Sequence, residues 1–150
     1  MDKRPRILVV DDDENIRNTV KTILEDEGYI VDLAATGNEA IKRTEETAYN
    51  IAILDIRLPD IEGVELLKLM KDATPRTRKI MVTGYPSMQN AVAALNKNAD
   101  AYLIKPVEIE VLLNTVKEQL HIQENEKTFS EQKVAEFIET RVKELSVNTD

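Results

Sequence analysis

Three kinds of polar side chain stand at the ends of four short apolar runs, and together they have the makings of phosphoryl-transfer chemistry. Asp11-Asp12-Asp13 follows directly on Ile7-Leu8-Val9-Val10, and Asp55 closes the run Ile51-Ala52-Ile53-Leu54. Lys105 closes Tyr102-Leu103-Ile104, and Thr83 ends a shorter run over residues 80–82. Bringing Asp11, Asp12 and Asp55 together is unfavourable alone: two like charges ~4 Å apart repel by about 4 kcal/mol at an effective dielectric of about 20. Oxygen donors without His or Cys suit a hard cation, and Mg²⁺ is the usual one beside phosphate. A metal site, a carboxylate nucleophile, a lysine and a hydroxyl suffice for phosphoryl transfer.

The elements that must position these groups alternate along the chain. Residues 7–10, 30–34, 51–54, 80–82 and 101–104 read as strands, and the unbroken apolar runs among them, 7–10, 51–54 and 102–104, read as buried on both faces. Between them lie helical patterns. Ile16, Val20, Ile23 and Leu24 share one face of a first helix that stops before Gly28. Thr36 and Glu39 form a capping box before the helix of Ala40 and Ile41. Val64, Leu67 and Met70 mark a third helix, with Pro75 beyond its end. Gly84-Tyr85-Pro86-Ser87 opens a fourth, carrying Ala91, Val92 and Leu95, and Ile109, Leu112, Val116 and Leu120 mark a fifth. This alternation predicts a doubly wound α/β domain with a parallel sheet, whose ligands belong at the C-terminal ends of the strands.

With those motifs in order, residues 5–120 resemble the receiver domain of two-component response regulators. The resemblance rests on Val9-Val10-Asp11-Asp12, on residues 54–63 with Asp55, Pro59 and Gly63, on Val82-Thr83-Gly84, and on residues 102–106 with Lys105-Pro106. It implies a flavodoxin-like five-stranded sheet in the order 2-1-3-4-5 with five helices. It also implies that Asp55 accepts a phosphoryl group from a histidine kinase or phosphotransfer protein. Asp12, Asp55 and the backbone carbonyl of Arg57 would hold Mg²⁺ directly, with Asp11 helping through water. Lys105 would pair with phosphoryl oxygens, Thr83 would move to hydrogen-bond the phosphoryl group, and Tyr102 would turn inward behind it. The output surface would be the face of the fourth helix, fifth strand and fifth helix. Arg57 and Tyr85 flank the approach of water and would tune the lifetime of the phosphorylated state. Such a protein is a signalling switch that catalyses only its own phosphorylation and dephosphorylation.

Other polar residues have simpler readings. Asp13 caps the first helix, Asp60 forms a turn beside Pro59, and His121 is an exposed helix residue without a companion histidine. A rival reading takes Asp11-x-Asp13 as the nucleophile motif of a haloacid-dehalogenase-type phosphatase. Asn15 stands where that motif expects Thr or Val, and the chain has little room for a substrate-covering cap. A flavodoxin-type cofactor site would need a Ser/Thr/Gly-rich loop where the acids stand. A receiver-like interaction module that is never phosphorylated would have no use for the full set of site residues.

The formal net charge of −8 and the lack of a basic stripe argue against a nucleic-acid surface. Cysteine is absent, which excludes disulfide and thiolate chemistry. The basic start over residues 1–6 is followed by only four apolar residues, too few for a signal peptide or a membrane span, so a cytoplasmic protein is expected. The apolar pattern lapses over residues 121–127. It resumes after Thr128 and Glu131, a second capping-box spacing, with Val134, Phe137, Ile138, Val142 and Leu145 on one helical face. The expected organisation is a receiver over residues 1–120 and an amphipathic helical tail or linker over residues 121–150, which extends the fifth helix or folds back on the receiver. That stripe calls for a partner surface, and either it or the output face could form a homodimer.

Overall fold

The computed structural model describes residues 3–70, 75–84 and 99–147. Five strands, β1 (Arg6–Val10), β2 (Ile30–Ala34), β3 (Ile51–Asp55), β4 (Arg78–Thr83) and β5 (Ala101–Ile104), form one parallel sheet in the order β2-β1-β3-β4-β5. Four helices lie among the described residues: α1 (Glu14–Asp26), α2 (Gly37–Glu46), α3 (Gly63–Leu69) and a long α4 (Ile109–Val147). The helix expected from Gly84 to Leu95 lies outside the described residues, as do Tyr85 and Met88.

Strand alternation explains why the apolar runs are continuous. Leu8, Val10, Ala52, Leu54 and Met81 point to one face, where they meet Ala40 of α2 and Leu66 and Leu67 of α3. Ile7, Val9, Ile51, Ile53, Ile80 and Val82 point to the other, against Leu24 of α1 and Leu112 and Val116 of α4. Both faces of the central strands β1 and β3 are dry, so neither spares a polar position in its middle, whereas the edge strand β2 carries Asp32 there.

Register then delivers the polar ends to one edge. Val10 pairs with Leu54, and Asp55 with Val82, so Asp11 and Asp55 emerge side by side. Thr83 pairs with Ile104, which sets Lys105 one residue further along the same edge. The Lys105–Pro106 peptide is cis. Gly28, at φ 94°, ends α1 in the left-handed region that a side chain disfavours.

The tail is helical and continues the preceding helix through residues 121–127, where the apolar pattern lapses. α4 is one helix of 39 residues, and Thr128 and Glu131 lie inside it rather than at a cap. Buried polar groups carry the helix through the stretch where apolar periodicity lapses. Arg78 Nε donates to Gln119 Oε1 at 2.9 Å, and its guanidinium also reaches Glu126 at 3.0 Å. Gln123 Nε2 donates to the carbonyls of Asn50 and Arg76 at 3.0 and 2.8 Å, while Asn50 Nδ2 donates to Gln123 Oε1 at 2.9 Å. Asp100 completes this latch by pairing with Arg76 and Arg78. Beyond it, Phe129, Val134, Phe137, Ile138, Val142 and Leu145 are all exposed, so no part of the described domain covers the stripe. No helix among the described residues is long and apolar enough to cross a membrane.

Candidate functional site

Three carboxylates converge at the strand ends: Asp11, Asp12 and Asp55 each place an oxygen within 4.8 Å of the others. Asp11 and Asp55 are 5% and 8% exposed, so their charges are largely withdrawn from water, while Asp12 is exposed. Lys105 Nζ bridges the two buried acids, 3.1 Å from Asp11 Oδ2 and 3.0 Å from Asp55 Oδ2. Asp55 Oδ1 accepts from the backbone N–H of Arg57 at 3.1 Å. Asp11 Oδ1 accepts from the Asp13 N–H at 2.9 Å, and Arg17 reaches the Asp11 carbonyl at 2.7 Å.

The ionisation of this cluster is uneven. Burial pushes the Asp11 carboxyl above its ordinary value; the Asp13 N–H and Lys105 only partly offset that, and the Asp55 charge adds to it. Burial alone would lower Lys105, but the hydrogen bonds and charges of Asp55 and Asp11 outweigh it and raise the ammonium above the usual lysine range. An isolated ion pair would lower its acid. Asp11 moves the other way chiefly because it is buried, and the Asp55 charge nearby adds to the effect.

Thr83 is fully buried at the end of β4, and its carbonyl accepts from the Lys105 N–H at 2.7 Å. Tyr102 lies two strands from Asp55 on β5 and is 38% exposed. Asp13 caps α1, accepting from the N–H groups of Asn15 and Ile16 at 2.9 and 3.2 Å. His121 is exposed, as expected. A cleft of about 610 Å³ opens beside the acids, between Ile16 and Val20 of α1 and Val107 and Leu112 on the other side.

The donor set fits Mg²⁺: three carboxylates within reach of one ion, two of them buried with a single lysine to balance them. The loop that follows is tied to the same acids, because the Arg57 N–H lies on Asp55 Oδ1. Sequence reasoning missed one member of this region. Asp60, expected to shape a turn, accepts from the Gly37 and Asn38 N–H groups of α2 at 2.8 and 2.9 Å. Nothing in its local sequence separates a turn-forming Asp from one that caps a remote helix; the signal lay at Thr36-Gly37, where a helix start needs more acceptors than Thr36 supplies.

Comparison with known proteins agrees with this geometry. The family model described as response regulator receiver domain matches residues 7–117. The chain is 36% identical over 132 residues to the transcriptional regulatory protein ZraR of Klebsiella oxytoca, covering 87% of this chain and 30% of that protein. It is 40% identical over 111 residues to the regulatory protein VanRB of Enterococcus faecalis, covering 74% of this chain and 50% of that one. Among solved structures, a CheY-like response regulator receiver domain protein from Methanospirillum hungatei JF-1 superposes with a TM-score of 0.74 at 49% identity. That match covers 83% of this chain and 99% of the other. NtrX from Brucella abortus gives a TM-score of 0.77 at 29% identity, covering 85% of this chain and 29% of NtrX. The chain thus spans half or less of the curated relatives ZraR and VanRB.

Proposed function

Since the chain belongs to the response regulator receiver family, we propose that Asp55 is its phosphoacceptor and that a histidine kinase or phosphotransfer protein is the donor. The observation that carries this reading is the placement of Asp55: a buried carboxylate 3.0 Å from Lys105 Nζ and within 4.8 Å of Asp11 and Asp12. An oxygen of Asp55 would attack the phosphorus of a phosphohistidine, forming an acyl phosphate as the phosphorus–nitrogen bond breaks and the imidazole leaves. The cleft beside α1 supplies an open side for that approach.

Each neighbour then has a task. Bound Mg²⁺ would offset the carboxylate charges and the negative charge of the phosphoryl oxygens. Asp11, Asp12, Asp55 and the Arg57 carbonyl would hold it. Lys105 already spans Asp11 and Asp55, and in the product it would pair with a phosphoryl oxygen. Thr83, buried at the neighbouring strand end, would bring its hydroxyl to the phosphoryl group. Tyr102, at the surface, would turn into the space Thr83 leaves, altering the β5 face that partners read. Arg57 would tune hydrolysis from its place beside Asp55, and we keep Tyr85 in the same role. Residues 1–120 would form the switch and residues 121–150 a helical tail or linker, in the cytoplasm.

The test is intact-mass spectrometry after incubation with acetyl phosphate and Mg²⁺. One added phosphoryl group on the parent and none on Asp55→Asn is the expected result. Addition to both, or hydrolysis of a generic phosphomonoester that depends on Asp11, would overturn the reading.

A further inference from the structure

Helix α2 begins with an arrangement that its own segment cannot complete. The first N–H groups of a helix have no intrahelical acceptor. In α2 the Glu39 N–H finds one locally, at Thr36 Oγ1, 3.1 Å away. The two before it do not. Gly37 N–H donates to Asp60 Oδ1 at 2.8 Å and Asn38 N–H to Asp60 Oδ2 at 2.9 Å, so one carboxylate from the loop after Asp55 closes the helix end. These bonds hold the Asp60 carboxyl below the ordinary carboxylate range. The loop also lies hard against the helix, because a Cβ on Gly37 would run into Ile61 Cγ2.

The other side of the same loop is tied to the acidic pocket. Gly63 N–H donates to the Ile56 carbonyl at 2.7 Å, and Arg57 and Glu62 pair as an isolated β-bridge. A Cβ on Gly63 would come within 2.6 Å of the Asp55 carbonyl and 2.9 Å of Ile56 Cα, so this closure needs glycine. Arg57 N–H lies on Asp55 Oδ1 at 3.1 Å. The loop over residues 56–62 therefore has its base on Asp55 and its tip on α2.

We infer that Asp60 is a positioning residue for the Asp55 site. By fastening the loop tip to α2, it holds the two peptides flanking Arg57 so that the Arg57 N–H lies on Asp55 and its carbonyl is available to the Mg²⁺ set. This rests on the phosphoacceptor reading and adds to it a residue that touches neither phosphoryl group nor metal. It also makes α2 part of the pocket's support: the helix supplies two N–H groups, and the loop is organised around them.

The experiment is Mg²⁺ titration by calorimetry on the full chain, well below each variant's melting temperature, for the parent, Asp60→Ala, Asp60→Asn and Thr36→Ala. Thr36→Ala removes the helix's own cap and leaves the loop contact in place, so it reports what weakening α2 does by itself. Asp60→Ala is expected to weaken Mg²⁺ binding roughly tenfold, the lower end of what outer partners of metal ligands contribute. Asp60→Asn should fall between, because one amide oxygen replaces two carboxylate oxygens. Thr36→Ala should melt earlier but bind Mg²⁺ as the parent does. Should Asp60→Ala not fold, Asp60→Asn carries the comparison. Parent-like affinity in the Asp60 variants, or an equal loss in Thr36→Ala, would overturn the inference and leave the phosphoacceptor reading standing. A parent that binds no Mg²⁺ would sink both.

Discussion

Lys105 holds the pocket together at the level of single residues, because it is the shared counter-ion of two buried acids. Its removal would leave Asp11 and Asp55 facing each other without compensation. Lys105→Met is expected to destabilise the fold by about 3 kcal/mol at neutral pH without Mg²⁺, measured by urea unfolding, the lower end for breaking a buried pair. Asp11 should behave in the opposite way. Its folded-state value is raised above the ordinary 3.8 chiefly by burial. A carboxyl raised on folding adds most stability below its unfolded value and loses that contribution as pH rises through the folded one. At neutral pH the ionised Asp11 therefore weighs against the fold. Asp11→Asn should raise the urea midpoint there, with the gap closing as pH falls towards 3.8; a lower midpoint at neutral pH would contradict this account of the pocket's strain. The residues of the pocket were legible in the sequence because acids and a lysine at the ends of apolar runs have few structural excuses. Asp60 was not, since its partners lie 23 and 22 residues away and no local pattern announces them.

At the scale of elements, strands and helices differ in how they declare themselves. β1 and β3 are buried on both faces and read as unbroken apolar runs, so their existence and their polar ends were evident. β4 starts two residues before its apolar run, at Arg78 and Lys79, which are buried yet charged. Period-based reading treats such residues as loop, although Arg78 is held by Asp100, Gln119 and Glu126. The same network hid the continuity of α4, because Gln119, Gln123 and Glu126 do by hydrogen bonding what apolar residues do earlier in the helix. Gln123→Ala should lower stability by about 1–3 kcal/mol, since it strips partners from groups beneath the helix. On the sheet face, Leu112→Ala should cost about 2–5 kcal/mol. Phe137, at 65% exposure on the same helix, should change monomer stability by less than about 0.5 kcal/mol when replaced by Ala. A larger loss that grows with protein concentration would show the stripe to be covered by a second copy. Asp100 adds a pH signature to the latch. Burial would raise its carboxyl, but Arg76, the Lys79 N–H and Arg78 outweigh that and hold it below 3.8. Its contribution is full above that value and is lost as pH falls through the lower folded one. Asp100→Asn should flatten that acid limb of the stability curve.

For the whole molecule, the parallel run of the strands places the pocket residues at their C-terminal ends and the α4 latch, through Asn50 and Arg78, at their N-terminal ends. The acidic pocket and the latch of the projecting helix are thus at different ends of the same strands. If the acidic pocket holds Mg²⁺ and the unfolded chain does not, the ion should raise the melting temperature in a concentration-dependent way. At a hundredfold excess over its dissociation constant the gain would be about 2.7 kcal/mol. An unchanged melting curve would contradict the assigned metal set. The central claim is narrower and concerns which oxygen takes the phosphoryl group. Its most direct measurement is to phosphorylate the chain, reduce the acyl phosphate with borohydride and map the resulting homoserine by peptide mass spectrometry. The account predicts homoserine at position 55 alone. Homoserine at position 11 or 12, with position 55 untouched, would contradict it.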